Sequence, residues 1–495
     1  MFLGIDIGTG SSKAVLVTSD GSIIDTAIVH HTISLPRAGW AEMLAEETWW
    51  AEVQQLCGEL FARNDAKGVF GVAVSGMGPC LVVTDGDFAP LRPAILYGVD
   101  TRATQDIGDL NEELGKTAIV ASGGKDLSSQ SVGPKLRWIA RNEPAVFSAA
   151  RYWFSCSSFL VQRLTGEYVL DHPTASQCDP LYDIHRLEWI TERARAVAGH
   201  LPLPRLLWPA EVAGTVTRGA QELTGIPVGI PVCAGTVDAW VEAYSAGVRR
   251  AGDTMLMYGS TMFFVQRLEA LRSHPKLWVA PGVEPGSITL SGGMATSGSL
   301  LTWLQRLFGG ADMGELFSEA AATPAGAEGL LLLPYFAGER TPLLDPDARG
   351  MITGLTLRHG RGHLLRAGLE GISYGLRQML DLVEQAGEPI TRLLAVGGGL
   401  KAGLWAQIVS DISGRPQIVP KVTIGASYGD ALMAAVGTGC VGPDTDWMQT
   451  ARIVEPDPRT GAVYEDLYQQ YLSLYPANRE HMHFLARWQE KDTTW

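Results

Sequence analysis

Apolar positions in this chain come in short bursts with two different periods. Residues 2–7 are apolar except for one carboxylate, Asp6, and residues 14–17 restore a β-forming run after Gly8-Thr9-Gly10-Ser11-Ser12-Lys13. The pattern predicts strand, tight turn, strand. Asp20-Gly21 marks a further turn, and residues 23–29 a third strand. Helical spacing then takes over: Trp49, Val53, Leu56 and Leu60 share one face of a helix expected over 47–63. Residues 69–74 read as a buried strand running into Ser75-Gly76-Met77-Gly78-Pro79, and 81–84 as another. That order belongs to a layered α/β fold.

Residues 90–210 break the periodicity with Trp, Pro and polar turns, and are expected to form a less regular insertion carrying a binding surface. Buried-strand character returns at Pro231-Val232-Cys233-Ala234-Gly235, with a helix expected from about Thr236. Residues 254–265 then repeat the opening pattern: an apolar strand to Tyr258, the turn Gly259-Ser260-Thr261, and an apolar strand from Met262. The recurrence suggests two related halves, one hairpin each. A helix follows over 362–387, with Leu365, Leu369, Ile372, Leu376 and Leu380 facing the core. A strand at 393–396 enters Gly397-Gly398-Gly399; helix 404–413, strand 417–420 and helix 429–436 complete the core. Beyond about 440 a surface helix near 464–475 and a peripheral, Trp-ended tail are expected.

At 495 residues the chain exceeds what one hydrophobic core supports, so at least two domains are expected. The net charge of −14 argues against nucleic acid as a main partner, but not against a nucleotide met locally by a cation and backbone N–H groups. Six scattered cysteines without metal-ligand spacing point to a reduced, cytoplasmic protein. No apolar run reaches the length of a membrane span, and Asp6 stands where a signal peptide would be apolar.

Three stretches carry candidate chemistry. In the first, Gly8, Thr9, Gly10, Ser11, Ser12 and Lys13 suit a phosphate, and Asp6 at the end of an apolar strand suits a hydrated Mg²⁺. The same residues also fit an ordinary solvated hairpin. In the second, Ala234-Gly235-Thr236-Val237-Asp238-Ala239-Trp240, Asp238 opens a helix just after a strand. It reads either as complementing the helix dipole or as a general base for a substrate hydroxyl. In the third, Gly397-Gly398-Gly399-Leu400-Lys401 lets backbone approach a flat ligand or simply forms a flexible loop. Neither a dinucleotide fingerprint nor a P-loop spacing is present.

Taken together these stretches resemble the FGGY family of carbohydrate kinases, in its xylulokinase-like branch, over roughly residues 2–440. Gly4-Ile5-Asp6-Ile7-Gly8-Thr9-Gly10 is similar to its first phosphate hairpin. Gly133-Pro134-Lys135-Leu136-Arg137-Trp138 with Asn142-Glu143-Pro144, and 333–342 with Ala348-Arg349-Gly350, are similar to its other signatures, as are 366–371 and the Gly397–Gly399 loop.

The resemblance implies two ribonuclease-H-like domains of the actin-like ATPase fold, over 1–247 and 248–495, flanking a cleft for ATP and a small carbohydrate. It implies Asp238 as catalytic base, Asp6 and Asp238 as the carboxylates that organise Mg²⁺, Gly259, Ser260 and Thr261 as the second phosphate turn, and Gly398, Gly399 and Lys401 on the adenine side. Met77, Gly78, Tyr97, Asp100, Arg102 and Asp238 fall at the sugar. There the chain departs from the family: Gly76-Met77-Gly78-Pro79 replaces Gln-Met-His-Gly, Tyr97-Gly98-Val99-Asp100-Thr101-Arg102 stands for Trp-Asn-Asp-x-Arg, and Ala239 replaces an Asn. The acceptor is left open among a ketopentose such as xylulose, another polyol and a sugar acid. Homodimers are common in the family. Competing readings are an actin-like or chaperone-type ATPase and a sugar-sensing pseudokinase.

Overall fold

A computed structural model describes residues 1–491. Two seven-stranded sheets organise it. In the first, Phe2–Ile7 runs antiparallel to Ser11–Val17 and parallel to Gly71–Gly76, with Ile23–His30 at one edge. In the second, Asp253–Tyr258 runs antiparallel to Met262–Leu268 and parallel to Arg392–Val396. Each sheet thus has a hairpin and a third, parallel strand beside it. Both hairpin strands are buried on both faces in the first sheet, which explains why they read as unbroken apolar runs.

Two helices lie between the sheets. Asp238–Ser245 follows the short strand Thr236–Val237, which pairs with Gly71–Gly76 and so delivers Asp238 to the end of the first sheet. Ala426–Gly437 comes from the second half of the chain, yet its Asp430 accepts a 2.6 Å hydrogen bond from Ser75 on the first sheet. An apolar cluster joins these helices to both sheets through Phe2, Val15, Val241, Met255, Leu394 and Leu432.

The middle region differs from expectation. Residues 90–210 hold the helices Thr104–Leu114, Lys116–Gly123, Val132–Asn142, Cys156–Thr165 and Thr191–Ala198, so the region carries more regular structure than its sequence pattern predicts. Gly115, Gly124 and Gly166, all with positive φ, end three of these helices, and the frequent breaks obscure the helical period.

The C-terminal segment also differs. Helix Gly461–Lys491 is longer than expected and not peripheral. Tyr464, Tyr468 and Tyr471 are buried. The Tyr464 hydroxyl accepts from Arg366 and donates to Glu370 on the long helix Arg361–Gln385. The expected tail at Trp495 lies outside the described residues. No helix among the described residues is long and apolar enough to cross a membrane.

Candidate active site

Two adjoining cavities open, one beside each hairpin. One, of about 440 Å³, is lined by Asp6, Lys13, Asp238, Glu242, Lys401 and Arg452, with Gly397 and Gly398. The other, of about 780 Å³, is lined by Tyr258, Gly259, Ser260, Gly398, Gly399 and Lys401, and by the apolar Leu301, Phe317 and Trp405. Gly398 and Lys401 line both. A flat apolar slot thus leads into a strongly charged chamber.

The strands explain who faces the chamber. Asp6 and Lys13 are directly opposite in the antiparallel register, so both point to the same face. Asp238 and Glu242 lie four apart on one helix and point together for the same kind of reason. The acids come from the first half of the chain, whereas Lys401 and Arg452 come from the second.

Burial dominates the electrostatics. The Asp6 carboxyl is pushed up to about 6 by burial, against the pull of Lys13 and Ser75. Glu242 is pushed up to about 7 by burial and by the Asp6 charge. Asp238 rises well above the carboxylate range through burial, then through Asp6, while the Ala239 N–H and Lys13 oppose the rise. Its Oδ1 accepts from that N–H at 2.7 Å. Three carboxyl groups crowded in one chamber hold a strong affinity for positive charge.

The second turn is fixed by backbone. Gly259 N–H donates to Thr261 O, while Gly259 O and Ser260 O accept from the N–H groups of Gly298, Ser297 and Ser299 at 3.0–3.1 Å. Gly397, at φ +100°, must be glycine, since a Cβ there would lie 2.6 Å from Tyr258 O.

Several expected ligands are placed otherwise. The Ser12 hydroxyl points to the opposite face and donates to Glu52, because neighbouring residues of a strand alternate. Met77 is fully buried in the core of the first sheet. Asp100 and Arg102 pair with each other, and Asp100 also accepts from Ala41 N–H while Arg102 reaches Glu42 and stacks on Trp40. Their side chains are 0% exposed, so they brace the region rather than face a ligand. Thr9 and Tyr97 share a 2.6 Å hydroxyl–hydroxyl bond. At Gly78 a Cβ would lie 2.9 Å from a Val237 methyl, so the missing side chain leaves no ready-made socket. Thr9, Gly10, Ser11 and Thr261 are half-buried or exposed at their turns, outside the linings of both cavities.

Models of the FGGY family of carbohydrate kinases match residues 1–244 with its N-terminal domain and 256–438 with its C-terminal domain. The chain belongs to the FGGY family of carbohydrate kinases. It is 28% identical to a xylulose kinase of Lactococcus lactis over 99% of both chains. It is 26% identical to a gluconokinase of Bacillus subtilis over 88% of this chain and 87% of that one. The solved structure of a xylulose kinase from Rhodospirillum rubrum superposes with a TM-score of 0.88 at 33% identity, covering 97% of this chain and 99% of the other. The two sheets are those of the actin-like ATPase fold, as in structures of such kinases. The kinase is a phosphotransferase with an alcohol group as acceptor, using ATP.

Glu242, Arg452, Phe317 and Trp405 escaped the reading of the sequence. Glu242 had a signal, four residues after Asp238 on a helix; the other three had none, because only tertiary packing brings them to the cavities.

Proposed function

We propose that this kinase phosphorylates a ketopentose such as xylulose or a closely related polyol, with Asp238 as base. Residues 1–247 would carry the sugar and the first turn, and residues 248–495 the second turn and the adenine slot. The observation that carries the reading is the chamber itself: Asp238 stands at a helix start, half-buried, in one lining with Asp6, Lys13 and Lys401. A carboxylate with raised proton affinity is suited to accept the proton of an attacking hydroxyl. Lys13, Lys401 and Arg452 match the charge of a triphosphate. The apolar slot beside Trp405 matches an adenine ring.

The same chamber fits Mg²⁺. Among the described residues no three His, Cys, Asp or Glu side chains converge on one point, so the protein would contribute one or two carboxylates, Asp6 and Asp238. That suits an ion that keeps waters and phosphate oxygens as its other ligands. When bound, the ion neutralises charge building on those oxygens. Asp238 meanwhile orients the alcohol and takes its proton.

A sugar acid is the second acceptor class, supported by the gluconokinase similarity and by the missing imidazole at Gly78. The cysteines are all free and five are buried, which fits a reducing cytoplasm. The test is Asp238→Asn, assayed with a panel of ketopentoses, polyols and aldonates. Sugar phosphorylation should fall by about 10²–10⁴ while ATP still binds. Near wild-type turnover would remove Asp238 from the role of base.

A further inference from the structure

Behind the first turn, on the face away from the chamber, lies a closed polar cluster. Glu52, 7% exposed on helix Ala51–Phe61, accepts from the Ser12 hydroxyl and, at 2.9 Å, from Nδ1 of His31. The other ring nitrogen, Nε2, donates to Gly8 O at 2.9 Å. The backbone N–H of His31 donates to Gly10 O at 3.2 Å.

Both ring partners are acceptors: a carbonyl oxygen and a carboxylate. A neutral imidazole carries one N–H and satisfies one of them; only the imidazolium satisfies both. The carbonyls matter because a trans peptide points its C=O and the following N–H in opposite directions. With Gly8 O and Gly10 O drawn toward His31, the N–H groups of Thr9 and Ser11 turn to the opposite side. Asp6 and Lys13, which line the chamber, stand on the two strands that lead into and out of this turn.

We propose that His31, held as an imidazolium by Glu52, is a positioning residue that orients the first turn for phosphate and places a positive charge behind it. The assignment rests on reading that turn as a phosphate site. Charge and hydrogen bonding support it from each packed element. Glu52 on the helix raises the proton affinity of His31, as do Gly8 and Thr9 of the turn, against burial. Ser12 on the adjacent strand is a hydroxyl. The buried Cys156 thiol near Glu52 is pushed well up by burial and stays neutral. His30 is exposed to solvent.

Two variants and one spectrum test the assignment. The ring ¹⁵N shifts of His31 in the free wild-type enzyme should show both nitrogens protonated at pH 7. Affinity for MgATP, measured by calorimetry from pH 6 to 8.5, should weaken about tenfold as the ring loses its proton. In Glu52→Gln the same loss should come at lower pH, with the affinity at pH 6 close to wild type. In His31→Gln the affinity should be low, without this transition, and the protonation of the nucleotide itself is common to all three proteins. The KM for the sugar should stay put in both variants. A neutral ring at pH 7, or one pH profile shared by all three proteins, overturns the proposal. Should wild type bind no nucleotide at any pH, the phosphate reading itself falls, while the ring spectrum still reports the charge of His31.

Discussion

At the first turn the carbonyls of Gly8 and Gly10 are held by a histidine, one through its ring and one through its backbone. At the second, the carbonyls of Gly259 and Ser260 are held by backbone N–H groups of residues 297–299 and by the Ser299 hydroxyl, none of which titrates near neutrality. The covalent patterns are alike: apolar strand, glycine and hydroxyls, apolar strand. The supports differ, because the first turn abuts a sheet edge and a helix whose side chains can titrate, while the second abuts the start of helix Gly298–Leu307. Peptide hydrogen bonds do not change with pH near neutrality, whereas a histidine–carboxylate pair does. The first half of the chain, which also brings the acids of the chamber, is therefore the pH-responsive side, and the second half, which brings Lys401 and Arg452, is the constant one.

Of changes at the two turns, the largest effect should come from breaking the constant side. A Cβ on Gly298 would lie 2.6 Å from Gly259 O, and that carbonyl is backbone with nowhere to yield. Gly298→Ala should push the second turn off its support and lower kcat/KM for ATP on the order of a hundredfold, as misplacement by about 1 Å does elsewhere. Sugar affinity, measured directly by fluorescence or calorimetry, should be unchanged. Loss of both affinities together would mean that the turn and the sugar side are not separable.

Much of this arrangement is legible in the chain. The spacing predicts a helix over 404–413 and a strand over 417–420, and the structure has Leu404–Ser413 and Gln417–Pro420. Both hairpins show because buried strands leave continuous apolar runs, and Asp6 stands out as the lone charge in one. The direction of Ser12 was available too: a period of two that sends Lys13 into the chamber must send Ser12 away from it. Other parts were beyond reach. Glu52 and His31 are twenty-one residues apart and meet only because a helix packs across the sheet edge. Asp100 and Arg102 show no mark of pairing with each other rather than with a ligand; the Trp40 ring that covers Arg102 comes from a distant loop. The buried tyrosines at 464, 468 and 471 follow helical spacing, but their partners are distant in the chain: Tyr464 meets the Arg366–Glu370 pair, Tyr468 donates to Asp381, and Tyr471 pairs with the Tyr335 hydroxyl.

A middle-sized effect should sharpen the acid side of the comparison. Glu242 has its folded pKa raised from 4.5 to about 7. Between those values the folded protein binds more protons than the unfolded chain, so stability falls as pH rises through that window. Below about pH 4.5 the contribution is fully present; above about pH 7 it is gone, a difference on the order of 3 kcal/mol. Asp6, raised to about 6, adds to the same slope. Urea unfolding of the metal-free enzyme at pH 5 and 8 should show this decline, and Glu242→Gln should flatten it by raising stability at pH 8. An unchanged slope in the variant would show that Glu242 is not the group whose ionisation burdens the fold.

The smallest effect belongs at the tip of the first turn. A Cβ on Gly10 would meet nothing within 4 Å, and its backbone lies outside the left-handed region. Gly10→Ala should leave stability within about 0.5 kcal/mol of wild type. Any change in ATP affinity then reports the ligand alone, since the protein has no reason to move. If the triphosphate lies against this backbone, the added methyl should weaken MgATP by roughly 1 kcal/mol, about fivefold. Its effect should add to that of His31→Gln at pH 6 if the histidine sets only the direction of the N–H groups. A combined loss smaller than the sum would mean that the turn, once its rear support is gone, swings far enough to carry Gly10 clear of the phosphate.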